Sequence, residues 1–417
     1  MRLLIKNIKN LVQIDAPKRV VVKGKDMSIL PQLTDAWLAI EDGLIADFGK
    51  MDDFPGIEDW SNLQIIDAQD RFVFPSWCDS HTHLIYAHSR EEEFASRLKG
   101  ESYASIAAKG GGILNSAKKL QNTSEDKLVA AALGRLNTII QQGTGAVEIK
   151  SGYGLSMAGE LKMLKVIQRL KALSPLTIQA TFLGAHAIPE EFKNNKAGYI
   201  QLLTEELIPA IGQEKLADYC DVFCEENYFT KAETIHILEV GLKHGLKPRV
   251  HAEQMSHSGG IEAGVQCGAI SVDHLEYISD NDIDLLLASH TMPTLLPGAQ
   301  LFLQLQTPPA RKMMDKGLPI AIASDFNPGS CPSGNMNLMV SLSCIVNKMT
   351  PEEAINAATI NSAYAMNLSQ THGSIGIGKK ANLFITQPIP SIAFLPYNFG
   401  ETLIETVILN GEIQTFN

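Results

Sequence analysis

The sequence predicts an α/β fold, a (β/α)8 TIM barrel with a small β-sandwich domain built from both termini. Two observations predict this fold. The middle of the chain alternates short apolar strands with helical stretches, a pattern typical of parallel strands joined by crossover helices. Both ends instead consist of short strands in which apolar and polar side chains alternate. A chain of 417 residues is long enough for both units.

The N-terminal strand candidates are RLLIKNI, RVVVKG, AWLAIEDGLIADFG and LQIIDAQ, and the C-terminal ones lie in IGKKANLFITQ and LIETVILNGEIQ. Since these two β-rich ends flank a different middle, we expect the termini to meet in one sheet domain. The sequence therefore predicts a composite domain from residues 1–70 and 373–417, and a barrel from residues 71–372.

The middle contains the eight strands that a closed barrel needs. The candidates are RFVFPSWCDSH, TGAVEIKSG, LTIQATFLGAH, YCDVFCEE, PRVHAEQ, AISVDHLE, TMPTLLP and LPIAIASDF. Each ends in polar or ionisable residues, at the edge where barrel active sites lie. The long connection after the first strand, residues 88–143, includes KGGGIL and is interpreted as a wall or bend over the site.

Composition narrows the class of partner. A formal net charge of −11 argues against binding to nucleic acid, which needs a basic surface. No apolar run approaches the roughly 20 residues that span a bilayer, and the N-terminus lacks the features of a signal peptide. The six cysteines have no framework spacing, which favours reduced thiols. We therefore expect a soluble cytoplasmic protein with a small-molecule partner and no membrane contact.

The strongest chemical signal is Asp79-Ser80-His81-Thr82-His83 at the end of the first strand. Residues two apart in an extended segment point to the same side, so both imidazoles face the barrel mouth. The fifth strand candidate contains His251, and the eighth ends at Asp325. Three imidazoles and one carboxylate suit zinc, iron or manganese and leave room for a water.

This arrangement resembles the amidohydrolase superfamily, and the resemblance covers essentially the whole chain. Many binuclear members carry a carbamylated lysine at the end of the fourth strand. This chain has Glu225 and Glu226 there, and Lys150 lies at the end of the second strand. We therefore expect one divalent metal ion per chain, zinc or iron, bound by His81, His83, His251 and Asp325.

The catalytic candidates follow from metal chemistry. A bound cation lowers the pKa of its water from roughly 16 towards 7, so the nucleophile comes from solvent. Asp325 is placed to take the proton of that water and to deliver it to the leaving nitrogen. His274, at the end of the sixth strand, is placed to orient the water or to stabilise the developing oxyanion. The alternative is that His274 only forms a hydrogen bond that supports a neighbouring residue of the site.

Several further segments are similar to the imidazolonepropionase family within this superfamily. They are HTHLIYAHSREEEFASRLKGESY, GGGIL, EIKSGYGL, TFLGAHAIP, HAEQMSHSGG, SVDHLE and SDFNPGS. The resemblance implies that water opens the ring of 4-imidazolone-5-propanoate to give N-formimidoyl-L-glutamate, a step of histidine degradation. It also implies a homodimer.

The substrate candidates are Arg90, Tyr153, His186, Gln254, Asn327, Gly329, Ser330 and Tyr103. A guanidinium is the best single partner for the propanoate, which makes Arg90 the anchor. The turn after Asp325 is expected to expose backbone N–H groups towards an anion. Some relatives carry glutamate where this chain has Gln254. An amide is not a base, so proton transfer falls to Asp325 and His274, while Glu253 is expected to point the opposite way.

Two other functions remain open at this point. A mononuclear aminohydrolase that deaminates a nucleobase-like ring would use the same metal residues. Arg90 argues against it, because a neutral base has no carboxylate for this residue to bind. A catalytically inactive barrel used as a binding module is the other alternative. Such proteins usually lose metal ligands, and all four are present here.

Overall fold

The barrel predicted for the middle of the chain is present in a computed structural model that describes residues 2–15, 19–101 and 111–416. Eight parallel strands follow one another in chain order around one sheet. They are β6 (Trp77–Thr82), β7 (Thr144–Lys150), β8 (Thr177–Ala185), β9 (Tyr219–Cys224), β10 (Lys247–Ala252), β11 (Ser271–His274), β12 (Met292–Leu295) and β13 (Ala321–Ile322). Six lie within a strand candidate, while β6 and β10 each extend one residue beyond theirs, and the TIM-barrel prediction is confirmed.

The first and last barrel strands meet through a narrow set of contacts. Thr82 forms a parallel bridge with Phe326. The backbone N–H of Asp325 donates to the carbonyl of His81 at 3.0 Å. Below this bridge, the buried Asp79 carboxylate accepts from the backbone N–H of Ser324 at 2.9 Å. The seam therefore joins the His-x-His strand directly to the segment that carries Asp325.

Helices cover the outside of the barrel and connect its strands. The α-helices are Glu91–Leu98, Gly112–Gln121, Glu125–Gln141, Met157–Leu173, Lys196–Gln201, Ile208–Glu214, Lys231–Lys243, Gly260–Gln266, Asp280–Leu287, Pro297–Leu303, Ala310–Asp315, Met336–Ile345, Pro351–Asn356, Ser362–Ala365 and Phe394–Tyr397. Two π-helical stretches, Leu202–Leu207 and Ala357–Asn361, continue neighbouring helices. Short 3-10 helices occupy Gly24–Ser28, Met51–Asp53 and Glu190–Phe192. In the described part of the chain, no helix is both long and apolar enough to cross a membrane.

The two termini form the predicted strand-rich sheet. Its strands are β1 (Arg2–Val12), β2 (Gln32–Glu41), β3 (Leu44–Lys50), β4 (Leu63–Asp67), β5 (Phe72–Pro75), β14 (Leu383–Thr386), β15 (Ile404–Leu409) and β16 (Glu412–Ile413). The order is β16-β15-β14-β5-β1-β2-β3, with β4 paired to β1. The N- and C-terminal halves therefore meet where β5 pairs with β14.

Two strand predictions were wrong in detail. Arg71–His81 is two strands, because the chain leaves the terminal sheet after β5 and the barrel begins at Trp77. Pro75 ends the first of these strands and has no N–H to continue it. Arg19–Gly24 is not a strand, because a side chain takes the place of a neighbouring strand. Asn361 accepts from the N–H of Val22 at 2.9 Å and donates to its carbonyl at 2.8 Å. The division into domains at residues 70 and 372 stays a prediction.

Candidate active site

The two histidines of the first barrel strand present one nitrogen each to a common point. The Nε2 atoms of His81 and His83 are 3.3 Å apart, and both side chains are buried. The other ring nitrogen of His81, Nδ1, lies 2.7 Å from Oδ2 of Asp273. An ionised carboxylate only accepts hydrogen bonds, so Nδ1 carries the proton and Nε2 holds a lone pair.

His251 brings a third nitrogen from the fifth barrel strand. Its Nε2 lies 3.4 Å from Nε2 of His83. Its Nδ1 lies 3.1 Å from Oδ2 of Asp221, which places a carboxylate behind this ring as well. Carboxylates behind metal-binding imidazoles fix the tautomer and the ring orientation. Nε2 of His81 and Nε2 of His251 are thereby left as acceptors. Both lie within 3.4 Å of a further ring nitrogen, Nε2 of His83.

Asp325 completes the group from the end of the eighth strand. Its Oδ1 lies 3.6 Å from Nε2 of His81 and 3.5 Å from Nε2 of His83. A tetrahedral ion with bonds of about 2.0–2.1 Å would separate its ligand atoms by about 3.3 Å. The observed separations of 3.3 to 3.6 Å match this value, so the donor set fits a divalent cation. His81, His83 and Asp325 form one potential metal-binding group, and His81, His251 and His274 form an overlapping one.

Burial keeps the imidazoles in the form that binds a metal. It lowers the pKa of His81 and of His83 well below the ordinary value, and Lys150 and the neighbouring histidines add to this effect. Burial also lowers the pKa of His251, although Asp221 opposes the shift. For Asp325, burial raises the pKa to about 6, against the opposing effects of His274 and of hydrogen bonds from nearby side chains. The three rings are therefore neutral near pH 7.

A buried network of charges supports these rings from below. Lys150 donates to Glu148 at 3.0 Å and to Asp221 at 2.8 Å, and none of these side chains is exposed. The structure therefore places Lys150 behind the His251 carboxylate partner. Arg249 lies 3.2 Å from Asp273 in the same way, and it also donates to the carbonyl of Ser80.

Sequence reasoning missed these supporting residues. The signal for them was present as charged residues within otherwise apolar barrel strands, as in AVEIK, YCDVFC and PRVH. Such positions point into the barrel interior, where an ionised group needs a partner of opposite charge.

His274 lies beside the histidine cluster at the end of β11. Its backbone φ is 91°, a left-handed conformation that non-glycine residues rarely adopt. Its Nδ1 lies 3.8 Å from Oε1 of Glu276. Burial alone would lower the pKa of His274, but Glu276, Asp325 and Asp273 outweigh it, and the pKa is raised. This shift favours the protonated form of the ring, which is the form suited to stabilising negative charge on a reacting oxygen.

A cavity of about 260 Å³ opens directly above this group. Seven of the eight predicted substrate residues line it, and Tyr103 lies outside the described residues. Among the described residues, the lining consists of His83, Arg90, Glu93, Arg97, Ile113, Tyr153, His186, Phe223, Tyr228, His251, Gln254, Met255, His274, Leu303, Asp325, Asn327, Gly329 and Ser330. The lining includes two arginines, Arg90 and Arg97, and Phe223, Tyr228 and Met255 add apolar surface that the sequence did not predict.

Arg90 is paired within the protein in this structure. Its Nε donates to Oε2 of Glu93 at 2.9 Å, and its Nη2 donates to the same oxygen at 2.5 Å. The other oxygen of Glu93 accepts from the backbone N–H of Gly112 at 2.9 Å. Glu93 thus connects Arg90 to the helix that follows the glycine run.

His186 has a defined tautomer. Its Nδ1 lies 3.1 Å from the carbonyl oxygen of Gly152, which only accepts, so Nδ1 donates and Nε2 is an acceptor. Burial, reinforced by His251, lowers the pKa of His186 to about 3. A neutral acceptor binds an N–H group of a ring and repels a carboxylate. In this tautomer Nε2 of His186 has no hydrogen to donate to a carboxylate or a carbonyl.

The turn after Asp325 is also different from the prediction. The backbone N–H groups of Gly329 and Ser330 both donate to Oδ1 of Asn327, at 2.7 and 2.8 Å. They are therefore committed within the turn and do not face an anion. The hydroxyl of Ser330 instead donates to Oδ2 of Asp325 at 2.9 Å, so this turn positions the carboxylate.

Glu253 points away from the cavity, as its strand position predicted. Its carboxylate accepts from the backbone N–H groups of Gly260 and Ile261, at 2.8 and 2.9 Å. These are the first two residues of the helix Gly260–Gln266. Gln254 is consequently the residue of this pair that lines the cavity.

Comparisons with known proteins agree with this geometry. A model described as "Amidohydrolase family" matches residues 72–413. An imidazolonepropionase from Flavobacterium johnsoniae is 54% identical over 98% of this chain and 99% of its own length. The imidazolonepropionase of Christiangramia forsetii is 53% identical over 99% of this chain and all of its own length.

Solved structures share the fold at much lower identity. Escherichia coli guanine deaminase has a TM-score of 0.75 at 12% identity, with all of both chains covered. An adenosine deaminase from Xanthomonas campestris with bound zinc has a TM-score of 0.69 at 15% identity, covering 99% of this chain and 92% of its own. At these identities the likeness concerns the fold alone.

Proposed function

The chain belongs to the imidazolonepropionase family of amidohydrolases, and from this premise we propose that it hydrolyses 4-imidazolone-5-propanoate to N-formimidoyl-L-glutamate in histidine degradation. The observation that carries the proposal is the convergence of three imidazole nitrogens and one carboxylate oxygen, 3.3 to 3.6 Å from their neighbours, beneath a cavity with an arginine wall. The cluster of nitrogen and oxygen atoms suits metal-dependent hydrolysis, and the arginines suit an anionic substrate.

We assign one divalent cation, zinc or iron, to His81, His83, His251 and Asp325. When bound, such an ion supplies a Lewis acid that acidifies a water ligand and polarises a carbonyl oxygen. The imidazoles contribute neutral lone pairs, because Asp273 and Asp221 lie behind His81 and His251. This set of ligands does not distinguish zinc from iron, since both ions accept nitrogen and oxygen ligands.

Asp325 and His274 divide the proton and charge chemistry. The carboxylate of Asp325 removes a proton from the attacking water and returns it to the ring nitrogen that leaves. Ser330 holds one of its oxygens, so the carboxylate keeps a defined orientation. His274 lines the same cavity, and in this proposal it stabilises the carbonyl oxygen that becomes negative during the attack. Water thus adds to the carbonyl, the C–N bond breaks, and the product gains a second carboxylate.

Three side chains orient the substrate in this proposal. Arg90 binds the propanoate, and Nε2 of His186 accepts an N–H of the ring. Gln254 lines the cavity beside Met255 and offers an amide to a ring nitrogen or carbonyl. Since an amide is not a base, Gln254 orients the ring without transferring a proton. Tyr153 and the Asn327 turn close the remaining sides.

Purified protein incubated with imidazolonepropionate tests the function. We expect formiminoglutamate to accumulate in proportion to bound metal, with one ion per chain, and a chelator to stop turnover until metal is restored. Turnover at full rate by metal-free protein would contradict the mechanism. Release of ammonia from a nucleobase-like ring, without reaction of imidazolonepropionate, would favour the deaminase alternative.

Replacing Arg90 by alanine is expected to raise KM by about a hundredfold, since hydrogen bonds to a charged group contribute about 1.5–3 kcal/mol. The loss also leaves Glu93 unpaired in the cavity, where it repels the substrate carboxylate. Steady-state kinetics and metal analysis check this together. The bound metal should stay at the wild-type level, and an unchanged KM would remove Arg90 from the substrate site.

A methyl group at Gly329 is expected to displace Arg90 without touching the metal residues. The Cβ of an alanine there would overlap Nη1 of Arg90, while the φ of Gly329 is outside the left-handed region. We expect Gly329→Ala to raise KM about tenfold, because the displaced Arg90 forms a weaker ion pair with the propanoate of the substrate. Gly134→Ala is the control, since nothing lies within 4 Å of its added Cβ. Equal kinetics for the two variants would contradict the prediction.

We further propose a homodimer, as the family resemblance implies, and a cytoplasmic location. The six cysteines are all free, which suits a reducing compartment. Light scattering of the purified protein tests the dimer.

A further inference from the structure

A second arginine, Arg97, reaches the cavity from the last turn of the helix Glu91–Leu98. Arg90 is the N-cap residue of the same helix. They are seven positions apart, about two helical turns, so both guanidinium groups extend from the same face of one helix. No role in the proposed reaction has so far been given to Arg97.

Two contacts hold Arg97 in place. Its Nη2 donates to the carbonyl oxygen of Gly329 at 3.3 Å. Its guanidinium carbon lies 5.1 Å from the centre of the Phe302 ring, within the range of a cation–π contact. Arg90 packs against the same glycine, because an added Cβ on Gly329 would overlap its Nη1. Gly329 is therefore the point where the two guanidinium groups approach each other.

The two arginines differ in their partners. Two nitrogens of Arg90 are committed to one oxygen of Glu93. For Arg97, the described residues provide the Gly329 carbonyl and the Phe302 ring but no paired carboxylate. Burial and the neighbouring Arg90 lower the pKa of Arg97, in spite of Glu93. The guanidinium of Arg97 stays charged, since the ordinary pKa of arginine is far above neutral pH.

Charge balance then defines what this wall binds. Apart from the metal-binding group and His274, the charged residues that line the cavity in the described part of the chain are two arginines and one glutamate. Glu93 neutralises one arginine, and one positive charge remains. Since a partly buried charge favours a partner of opposite sign, the wall suits a ligand with a single carboxylate.

We propose that Arg97 is a second substrate-binding residue, which holds the carboxylate of the substrate together with Arg90 beside Gly329. This deepens the proposed function and depends on it for the identity of the substrate. Arg97 is held in advance by Gly329 and Phe302, so little conformational entropy is lost when the carboxylate binds. Arg97 thereby sets specificity for a side chain that ends in one negative charge.

The test compares two probes that cannot be hydrolysed, 3-(imidazol-4-yl)propanoate and its primary amide. Binding of each to the metal-loaded enzyme is measured by calorimetry for wild type, Arg97→Gln and Arg97→Lys. We expect Arg97→Gln to weaken binding of the carboxylate probe about ten- to hundredfold and to change binding of the amide by less than about twofold. Arg97→Lys should recover part of the loss, because it restores the charge without the planar fork.

Arg169→Gln is the matched control, because this arginine lies on the outer helix Met157–Leu173 and pairs with Asp126. If Arg97→Gln folds poorly, the same measurements are made with Arg97→Met. This variant also lacks the charge, and its side chain still packs against Phe302. In turnover assays, Arg97→Gln should raise KM for imidazolonepropionate by the same factor while kcat changes less than about threefold.

Equal weakening of both probes would overturn the proposal, since it would mean that Arg97 only shapes the cavity. No weakening of either probe would overturn it as well. The proposed function fails separately, if the wild-type enzyme binds the carboxylate probe in preference to the amide but does not hydrolyse imidazolonepropionate.

Discussion

Asp325→Asn is expected to lower kcat by at least about a thousandfold, because the variant loses both a general base and a charged ligand. Asparagine keeps the shape of the side chain, and its amide oxygen would still lie near the nitrogens of His81 and His83, now 3.6 and 3.5 Å from Oδ1. It has neither the negative charge nor the basicity of the carboxylate. Bound metal should also fall below one ion per chain.

Turnover and elemental analysis of the same preparations check this prediction. Asp315→Asn is the control, since this carboxylate is exposed at the end of the helix Ala310–Asp315, remote from the cavity lining. A kcat within tenfold of wild type, with full metal content, would show that Asp325 is neither the base nor a needed ligand. Loss of metal with normal kcat per bound ion would leave it as a ligand only.

Lys150→Met is expected to lower the free energy of unfolding by about 3–5 kcal/mol, the usual cost of breaking a buried ion pair. Lys150 is fully buried, and its ammonium lies 3.0 Å from Glu148 and 2.8 Å from Asp221. Without it, two carboxylates would remain buried beside each other. Burial already raises the pKa of Glu148, and removal of the lysine would raise it further.

The same substitution should weaken metal binding about ten- to hundredfold, because Asp221 supports the ring of His251. Urea unfolding and competition with a chelator measure the two effects separately. Lys165→Met, at an exposed position of the helix Met157–Leu173, is the control. A change in unfolding free energy below about 1 kcal/mol, the range of exposed ion pairs, would contradict the structural role of Lys150.

Strand patterns in the sequence predicted the barrel and the edge at which its functional residues lie. The reason is local: each parallel strand is a short apolar run, and the residue that follows it must emerge at the same rim. His81, His83, His251 and Asp325 could therefore be grouped before any coordinates were known. The pattern failed at two places. A strand was predicted around Val22, but the side chain of Asn361 takes up the backbone hydrogen bonds of that residue. One continuous strand was predicted through Pro75, but proline has no N–H and the strand ends there.

The wider site could not be predicted in this way, because its chemistry depends on partners distant in the chain. Asp273 lies 192 residues from His81, yet it decides which nitrogen of that ring carries the proton. Gly329 similarly lies 232 residues from Arg97, yet its carbonyl oxygen accepts from that guanidinium and holds it at the cavity.

The amino-acid sequence determined the eight-stranded barrel, the identity of the four candidate ligands and the rim at which they emerge, since those depend on periodicity and on strand ends. Only the tertiary structure decided the protonation of His186, the contact of Arg97 with Gly329 and the buried ion pairs beneath the cluster. These features depend on desolvation and on distances between residues far apart in the chain, and neither quantity exists until the barrel has closed.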